Sequence, residues 1–390
     1  MLKSLKEVMY HNFYENRSPD LIRKINLPKY YDFGEMLDLF LEIHTGDLAN
    51  PDPKYITVLC VTYTSFRIAI QKGFNAIYLF DVLDFTDTDY YPKLPIPSFG
   101  YVLLENADAI SYTLIQSIHQ QLPPSTYLFV FYDNFIPRKH MSYEDILPFY
   151  ENVYEVSRIS SDKVMMNVSI RHYLNFIRQK NNSLEKCLDG LNASITKEKI
   201  VEFDLSRYLD LGKVIITPNI TILLTLNNKI RNFLGLTNQE DPIKPQPNEW
   251  LIAERPIEVT ETESGKKYIL PIGYRFQVKE CTLNRDAAYV IKFMHEKPDG
   301  AIVEVITYAS KRYLEYMNYG GSELEHAPYS YCINYGYVVS SACCINNEFD
   351  DAIVLFDGSL CIDKKELYAA IMPVKRNLTI YYSLREKIHV

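Results

Sequence analysis

Two patterns of apolar residues divide this chain. Between residues 51 and 168, short continuous apolar runs alternate with stretches of helical spacing. Tyr55 to Thr62 (YITVLCVT), Asn75 to Asp81 (NAIYLFD), Phe99 to Leu104 (FGYVLL) and Thr126 to Tyr132 (TYLFVFY) read as strands buried on both faces. Ser65 to Lys72, closed by Gly73, and Ala107 to Gln121, stopped by Pro123-Pro124, read as the helices between them. Such alternation implies right-handed crossovers and a mostly parallel sheet. Ahead of it, residues 1–50 read as helical, with a helix start at Ser18-Pro19-Asp20 and a wide apolar stripe from Phe33 to Ile43.

The second pattern begins after a long helical stretch, Ser169 to Ala193. Strand-like pieces follow at Lys199–Leu205, Lys213–Thr217, Ile220–Leu226, Tyr268–Ile272, Tyr274–Glu280, Tyr289–Phe293, Ile302–Thr307, Tyr331–Ser340 and Ile353–Phe356. They predict antiparallel β structure with short helices. The expected organisation is a helical segment at 1–50, an α/β domain at 51–168, a connecting helix at 169–198 and a β-rich α+β domain at 199–390. A length of 390 residues suits two cores. The sequence shows no internal repeat.

Charge and composition narrow the functional classes. The net charge of −8 has both signs interspersed, which argues against a broad nucleic-acid surface and leaves room only for a local basic patch. Arg171, Arg178 and Lys180, with Tyr173 and Phe176 between them, form one such cluster; the blander reading is a solvated helix face over an aromatic core. Glycine is scarce, at 14 residues, so little is available for phosphate-cradling loops. No G-x-x-x-x-G-K-[ST], G-x-S-x-G or H-E-x-x-H segment occurs. Seven cysteines form no C-x-x-C pair, and the N-terminus lacks the apolar core of a signal peptide; both point to a protein that is not secreted.

The run of strand, helix and a strand ending in Asp81, with Asp133-Asn134-Phe135-Ile136-Pro137 after the fourth strand, resembles a Rossmann-like methyltransferase over residues 1–160. The resemblance implies a cofactor ribose on Asp81 and catalytic polar groups around Asp133. The family's glycine-rich turn is replaced here by Cys60-Val61-Thr62-Tyr63-Thr64-Ser65-Phe66, which implies that the cofactor site is filled by side chains. Asp87-Thr88-Asp89 matches the short D-x-D pattern of metal-dependent glycosyltransferases, though solvated loop acids account for it as well.

A second resemblance spans residues 190–275: Leu191-Asn192, the run Lys213 to Leu226, Ile230 to Leu236 and Ala253-Glu254-Arg255-Pro256 are similar to a structural-protein module of Maverick-type virus-derived elements. It implies a particle or assembly protein. Together these readings predict a non-enzymatic structural or interaction protein, a component of a viral particle or other assembly, found in the cytoplasm or the particle. Its expected partners are other protein chains and not a membrane; it has no cofactor, and nucleic acid is a possible partner that the charge does not indicate. The alternative is a diverged SAM- or nucleotide-dependent transferase using Asp81 and Asp133. Eight of the 32 tyrosines crowd between 308 and 337, and buried hydroxyls need partners, so Tyr313, Tyr316, Tyr319, Tyr329 and Tyr331 are the expected interface residues.

Overall fold

The computed structural model describes residues 22–26, 33–45, 52–85, 90–92, 100–136 save 125 and 134, 150–155, 166–190, 195–205, and 213–390 save 285–287, 320–330, 345–346, 358–362 and 385. The chain forms two compact units, one made of Met1–Thr86 and Tyr90–Met165, the other of Asp87–Asp89 and Met166–Val390. Among the described residues no helix is long and apolar enough to cross a membrane.

In the first unit, β1 (Ile22–Asn26), α1 (Phe33–Thr45), β2 (Ile56–Cys60), α2 (Tyr63–Gln71) and β3 (Asn75–Tyr78) are followed by a two-stranded ribbon of β4 (Leu83–Phe85) and β5 (Tyr90–Pro92). Then come β6 (Tyr101–Leu104), α3 (Tyr112–Gln121), β7 (Tyr127–Tyr132) and β8 (Tyr150–Glu155). The six-stranded sheet has the order β3-β2-β6-β7-β1-β8, with every pairing parallel. Its core rests on the runs read from the sequence: every residue of β2 is buried, because helices cover both faces of a parallel sheet. Met36, Leu37 and Phe40 of α1 pack into it, and Phe40 meets Phe129 edge to face at 5.2 Å. The first 50 residues are thus not wholly helical. The five-residue strand β1 inserts between β7 and β8, and it is too short to show a period. The helix start at Ser18-Pro19-Asp20 lies outside the described residues.

The second unit departs further from expectation. The connecting helix is two helices, α4 (Val168–Arg178) and α5 (Leu184–Asp189), the latter capped by Ser183. Next come β9 (Thr196–Lys199), β10 (Val214–Thr217) and α6 (Ile220–Phe233). A β insertion follows, made of β11 (Trp250–Ala253), β12 (Ile257–Glu261), β13 (Lys267–Leu270), β14 (Arg275–Gln277), β15 (Glu280–Leu283), β16 (Ala288–Glu296), β17 (Ile302–Ser310), α7 (Lys311–Tyr319) and β18 (Ile333–Tyr335). The chain then returns through β19 (Val338–Ser340), β20 (Phe349–Asp357), α8 (Lys364–Ile371) and β21 (Val374–Ser383).

The unit is therefore not simply antiparallel. Its β9, β10, β19, β20 and β21 form a second parallel sheet, in the order β19-β10-β20-β21-β9. Among the described residues of this unit, antiparallel pairing falls within the insertion, as a three-stranded sheet β14-β11-β18 and a five-stranded sheet β13-β12-β17-β16-β15 that share one apolar core. The chain as a whole is α/β, with parallel and antiparallel sheets side by side in sequence.

With strands counted in chain order within each parallel sheet, both units read third–second–fourth–fifth–first, the first unit adding a sixth strand at the edge. This is a repeat of topology that no repeat of sequence announces.

Candidate functional site

In an open parallel sheet, ligands lodge outside the carboxyl ends of the strands, where successive connections leave in opposite directions. Here that point falls between the second and fourth strands of each sheet: β2 and β6 in the first unit, β10 and β20 in the second. The two places are built alike.

In the first unit, β2 ends at Cys60, and Thr62 caps α2 by accepting the Ser65 N–H at 3.2 Å. The Thr62 hydroxyl also reaches the Ser65 hydroxyl at 2.9 Å. From the end of β6, the Glu105 carboxylate accepts the Val61 N–H at 3.1 Å, while the Glu105 N–H donates to the Leu59 carbonyl at 3.1 Å. Burial, and then the Glu105 charge, push the Cys60 thiol well above its ordinary range, which leaves it an inert core residue.

In the second unit, β10 ends at the buried Thr217, whose hydroxyl accepts the Asn219 N–H at 3.1 Å. The Asn219 side chain caps α6 by accepting the Thr221 and Ile222 N–H groups. Its amide donates at 3.2 Å to Asp357, the fully buried last residue of β20, and Asp357 also accepts the Ile388 N–H at 3.3 Å. Ser341, after β19, donates its N–H to the Thr217 carbonyl and its hydroxyl to Glu366.

Each switch point thus sets a carboxylate from the fourth strand against the N-terminus of the helix after the second. Neither α2 nor α6 carries an acidic residue in its first turn, so the partial positive charge of each helix end is not cancelled from within. A helix N-terminus accepts anionic oxygens; a carboxylate beside it accepts hydroxyl or amino donors. Sequence reasoning passed over Glu105, Asn219 and Asp357. A signal for Asn219 was present, since Thr217-Pro218-Asn219 ahead of an apolar run is a helix start.

The residues singled out from the sequence fall elsewhere or apart. Asp81 ends a 3-10 turn after β3 and is exposed. Asp133 is buried; its carboxylate accepts the Phe135 N–H at 3.0 Å and its own N–H donates to Asp108 at 3.0 Å, which is the work of a turn. Tyr63 and Phe66 pack on Tyr78, with ring centroids at 4.3 and 6.2 Å. Asp87 and Asp89 lie outside the described residues. Among the described residues no His, Cys, Asp and Glu group has the geometry to hold a metal ion.

The crowded tyrosines separate into two sets. Tyr313 is buried and donates to Glu254, and Tyr335, wholly buried, donates to the Ile243 carbonyl at 2.5 Å. These hydroxyls find partners inside the fold. Tyr316 is exposed, and Tyr331 is half-buried with its ring 5.4 Å from that of Tyr308. Tyr319 ends α7, and Tyr329 lies outside the described residues.

No protein-family model and no curated protein matches the chain. Solved structures do. The Pif1 helicase of Candida albicans aligns over 98% of this chain and 95% of its own, at 10% identity and a TM-score of 0.42. Pif1 helicase from Bacteroides, solved with ADP-AlF3 and single-stranded DNA, aligns over 97% and 92%, at 12% identity and 0.43. A pair of Pif1 helicases coordinating on forked duplex DNA gives 10% identity and 0.47. These similar structures correct the expectation of a capsid or virion component with protein chains as its partners, and with it the methyltransferase-like alternative: they are helicases, and several were solved on DNA. At such scores the likeness assigns no role to any residue here.

Proposed function

We propose that the chain binds single-stranded nucleic acid, each unit taking nucleotides of the strand at its own switch point. The observation that carries this reading is the recurrence of one arrangement, a carboxylate facing a helix N-terminus free of acidic residues, at the same point of two sheets with the same strand order. A nucleotide offers what that arrangement accepts: an anionic phosphate for each helix end and, in the first unit, sugar hydroxyl or base amino donors for the partly exposed Glu105 carboxylate, while the buried Asp357 orients the Asn219 cap. Two such places in one chain suit a polymer of nucleotides. The same reading takes the first unit as a doubly wound, Rossmann-like sheet with its ligand outside the carboxyl ends. Hydrolysis of a nucleoside triphosphate forms no part of it, because the sequence holds no G-x-x-x-x-G-K-[ST] segment to cradle the phosphates.

Fluorescence anisotropy of labelled 20-nucleotide DNA and RNA strands tests the proposal. Binding that weakens with salt is expected, and the absence of binding up to about 10⁻⁴ M at low salt, the weak end of non-specific affinity, overturns it.

A further inference from the structure

The five-stranded sheet of the insertion buries one face in the core it shares with the three-stranded sheet. The strand registers fix what lies on its other face. Across the sheet, Glu280 pairs with Lys292, Lys292 with Ile306, Ile306 with Thr260 and Thr260 with Lys267. Side chains alternate between faces along a strand, so Tyr308, Glu304 and Ile302 on β17 and Met294 on β16 point the same way as this row. Such a face is ordinarily polar. Here Ile302 is 67% exposed, Met294 49% and Tyr308 37%, the last with the Tyr331 ring 5.4 Å away. Apolar side chains open to solvent on one sheet face mark a contact surface.

The charges on this face narrow the occupant. Lys267 is paired with Glu258, Lys279 with Glu304 and Lys292 with Glu280. Each of these ammonium groups has its own carboxylate, so neither a phosphate backbone nor an anionic membrane meets an excess of cations here. A protein surface with interspersed charges of both signs fits better, and the pattern is complementary to itself.

We propose that this face joins a second copy of the chain, the two sheets packing face to face about a two-fold axis along β17. The inference adds to strand binding and does not depend on it. Closed two-fold pairing needs a self-complementary patch, and aligned packing is one of the two ways in which sheets stack. β17 is the middle strand of the five. An axis along it sets β15 of one copy over β13 of the other, and β16 over β12. Glu280 then stands over Lys267 of the other copy, at both edges of the contact, and these side chains are 53% and 64% exposed. Ile306 and Tyr308 lie on the axis and meet their own counterparts. Glu304, also on the axis, is matched by Lys279 of its own chain. An axis laid across the strands through the Ile306 row sets Glu280 over Glu280 and Lys267 over Lys267 instead. Charge complementarity therefore selects both the occupant and its orientation.

The test uses the full chain. Sedimentation velocity over a concentration series should show a monomer–dimer equilibrium with a dissociation constant on the order of micromolar, the weak end for an interface of ordinary size. Tyr308→Arg sets like charges against each other on the axis and should leave the chain monomeric where the wild type dimerises. Glu280→Lys and Lys267→Glu should each weaken the dimer about tenfold, and the double variant should restore it. The rescue separates the two roles of these ions, because within one chain the double reversal breaks both the Glu280–Lys292 and the Lys267–Glu258 pairs. Melting curves show that each variant is folded; Glu280→Gln and Lys267→Gln, which should weaken the dimer less, replace a reversal that does not fold. A chain that stays monomeric up to about 100 µM overturns the inference. So does a dimer indifferent to Tyr308→Arg and to both reversals. If Lys267→Glu weakens binding of a labelled DNA strand and leaves the mass unchanged, the face belongs to nucleic acid and the inference falls as well.

Discussion

Arg231 and Glu249 form an ion pair inside the second unit, both side chains essentially without exposure. The Arg231 guanidinium, on α6, donates through Nε and Nη2 to the two Glu249 oxygens. Its remaining donors go to the Pro242 and Lys244 carbonyls at 2.7 and 3.1 Å, and it lies 4.0 Å over the ring of Tyr335. Glu249 also accepts the Gln246 N–H at 2.8 Å. One guanidinium thereby ties the parallel sheet's helix to the loop entering the insertion and to β18, the strand leaving it. Removing one partner of such a pair costs about 3 to 5 kcal/mol, because the other charge stays buried. Glu249→Gln should therefore lower the urea midpoint sharply, and the double variant Arg231→Met, Glu249→Leu should recover much of the loss. Equal midpoints for wild type and Glu249→Gln would show that the pair does not hold the insertion.

A second attachment depends on a residue with no side chain. Gly273 has φ +84°, and a Cβ there would stand 1.9 Å from the Cys343 carbonyl oxygen, in the crossover between β19 and β20. Its own carbonyl accepts the Asn347 amide at 2.5 Å. Gly273→Ala should destabilise the chain by about 2 kcal/mol or more, from a left-handed conformation and a backbone collision together. Denaturant titration checks this. Gly265→Ala, also at positive φ (+68°) but with nothing within 4 Å, separates the two causes and should cost about 1 kcal/mol.

Acid should loosen the insertion through His295. The ring is buried, and its Nδ1 is hydrogen-bonded to the Tyr274 hydroxyl at 2.7 Å. Burial first, and then the Lys297 charge, hold its pKa down at about 4, against opposing pulls from Glu296 and Glu261. The folded state thus takes up this proton later than the unfolded chain does. The stability from keeping the ring neutral is complete above the unfolded pKa near 6.5 and is lost as pH falls through about 4. Between pH 7 and pH 5 the loss should be about 2 kcal/mol from this group. Urea unfolding at both values should show it, and His295→Phe should flatten the dependence; an unchanged slope in the variant would remove His295 as its source.

The first unit was largely legible because its strands are buried on both faces, and continuous apolar runs such as Tyr55 to Thr62 have few other uses. The second unit was not, for two reasons. Ile220 to Leu226 (ITILLTL) is as apolar and β-branched as a strand, and only the cap at Asn219 shows that it opens a helix. The second parallel sheet is also split in sequence by the insertion, which parts β10 from its neighbours β19 and β20, so alternation never shows. The switch-point residues escaped notice for a related cause. Glu105, Asn219 and Asp357 form no motif, and only the strand order reveals that Glu105 and Asp357 hold equivalent places.

That equivalence yields the sharpest variant of the site. Asn219→Asp keeps a side chain that caps α6 as well as asparagine does. It replaces the amide that donates to Asp357 with a second carboxylate at about the same 3.2 Å. Two carboxylates so close and buried cannot both ionise without cost, so one should hold its proton well above the ordinary carboxylate range. The variant should be less stable than the wild type at pH 7 and should recover as pH falls and the shared proton is taken up, opposite in sign to the His295 effect and measurable against it in a His295→Phe background. Strand binding should weaken as well, since the added charge faces the helix end that would receive phosphate. Asn219→Ala loses the cap, at a cost of about 1 kcal/mol, but adds no charge, and its stability should show no such recovery in acid. Binding by Asn219→Asp equal to that of the wild type would place the strand away from this switch point.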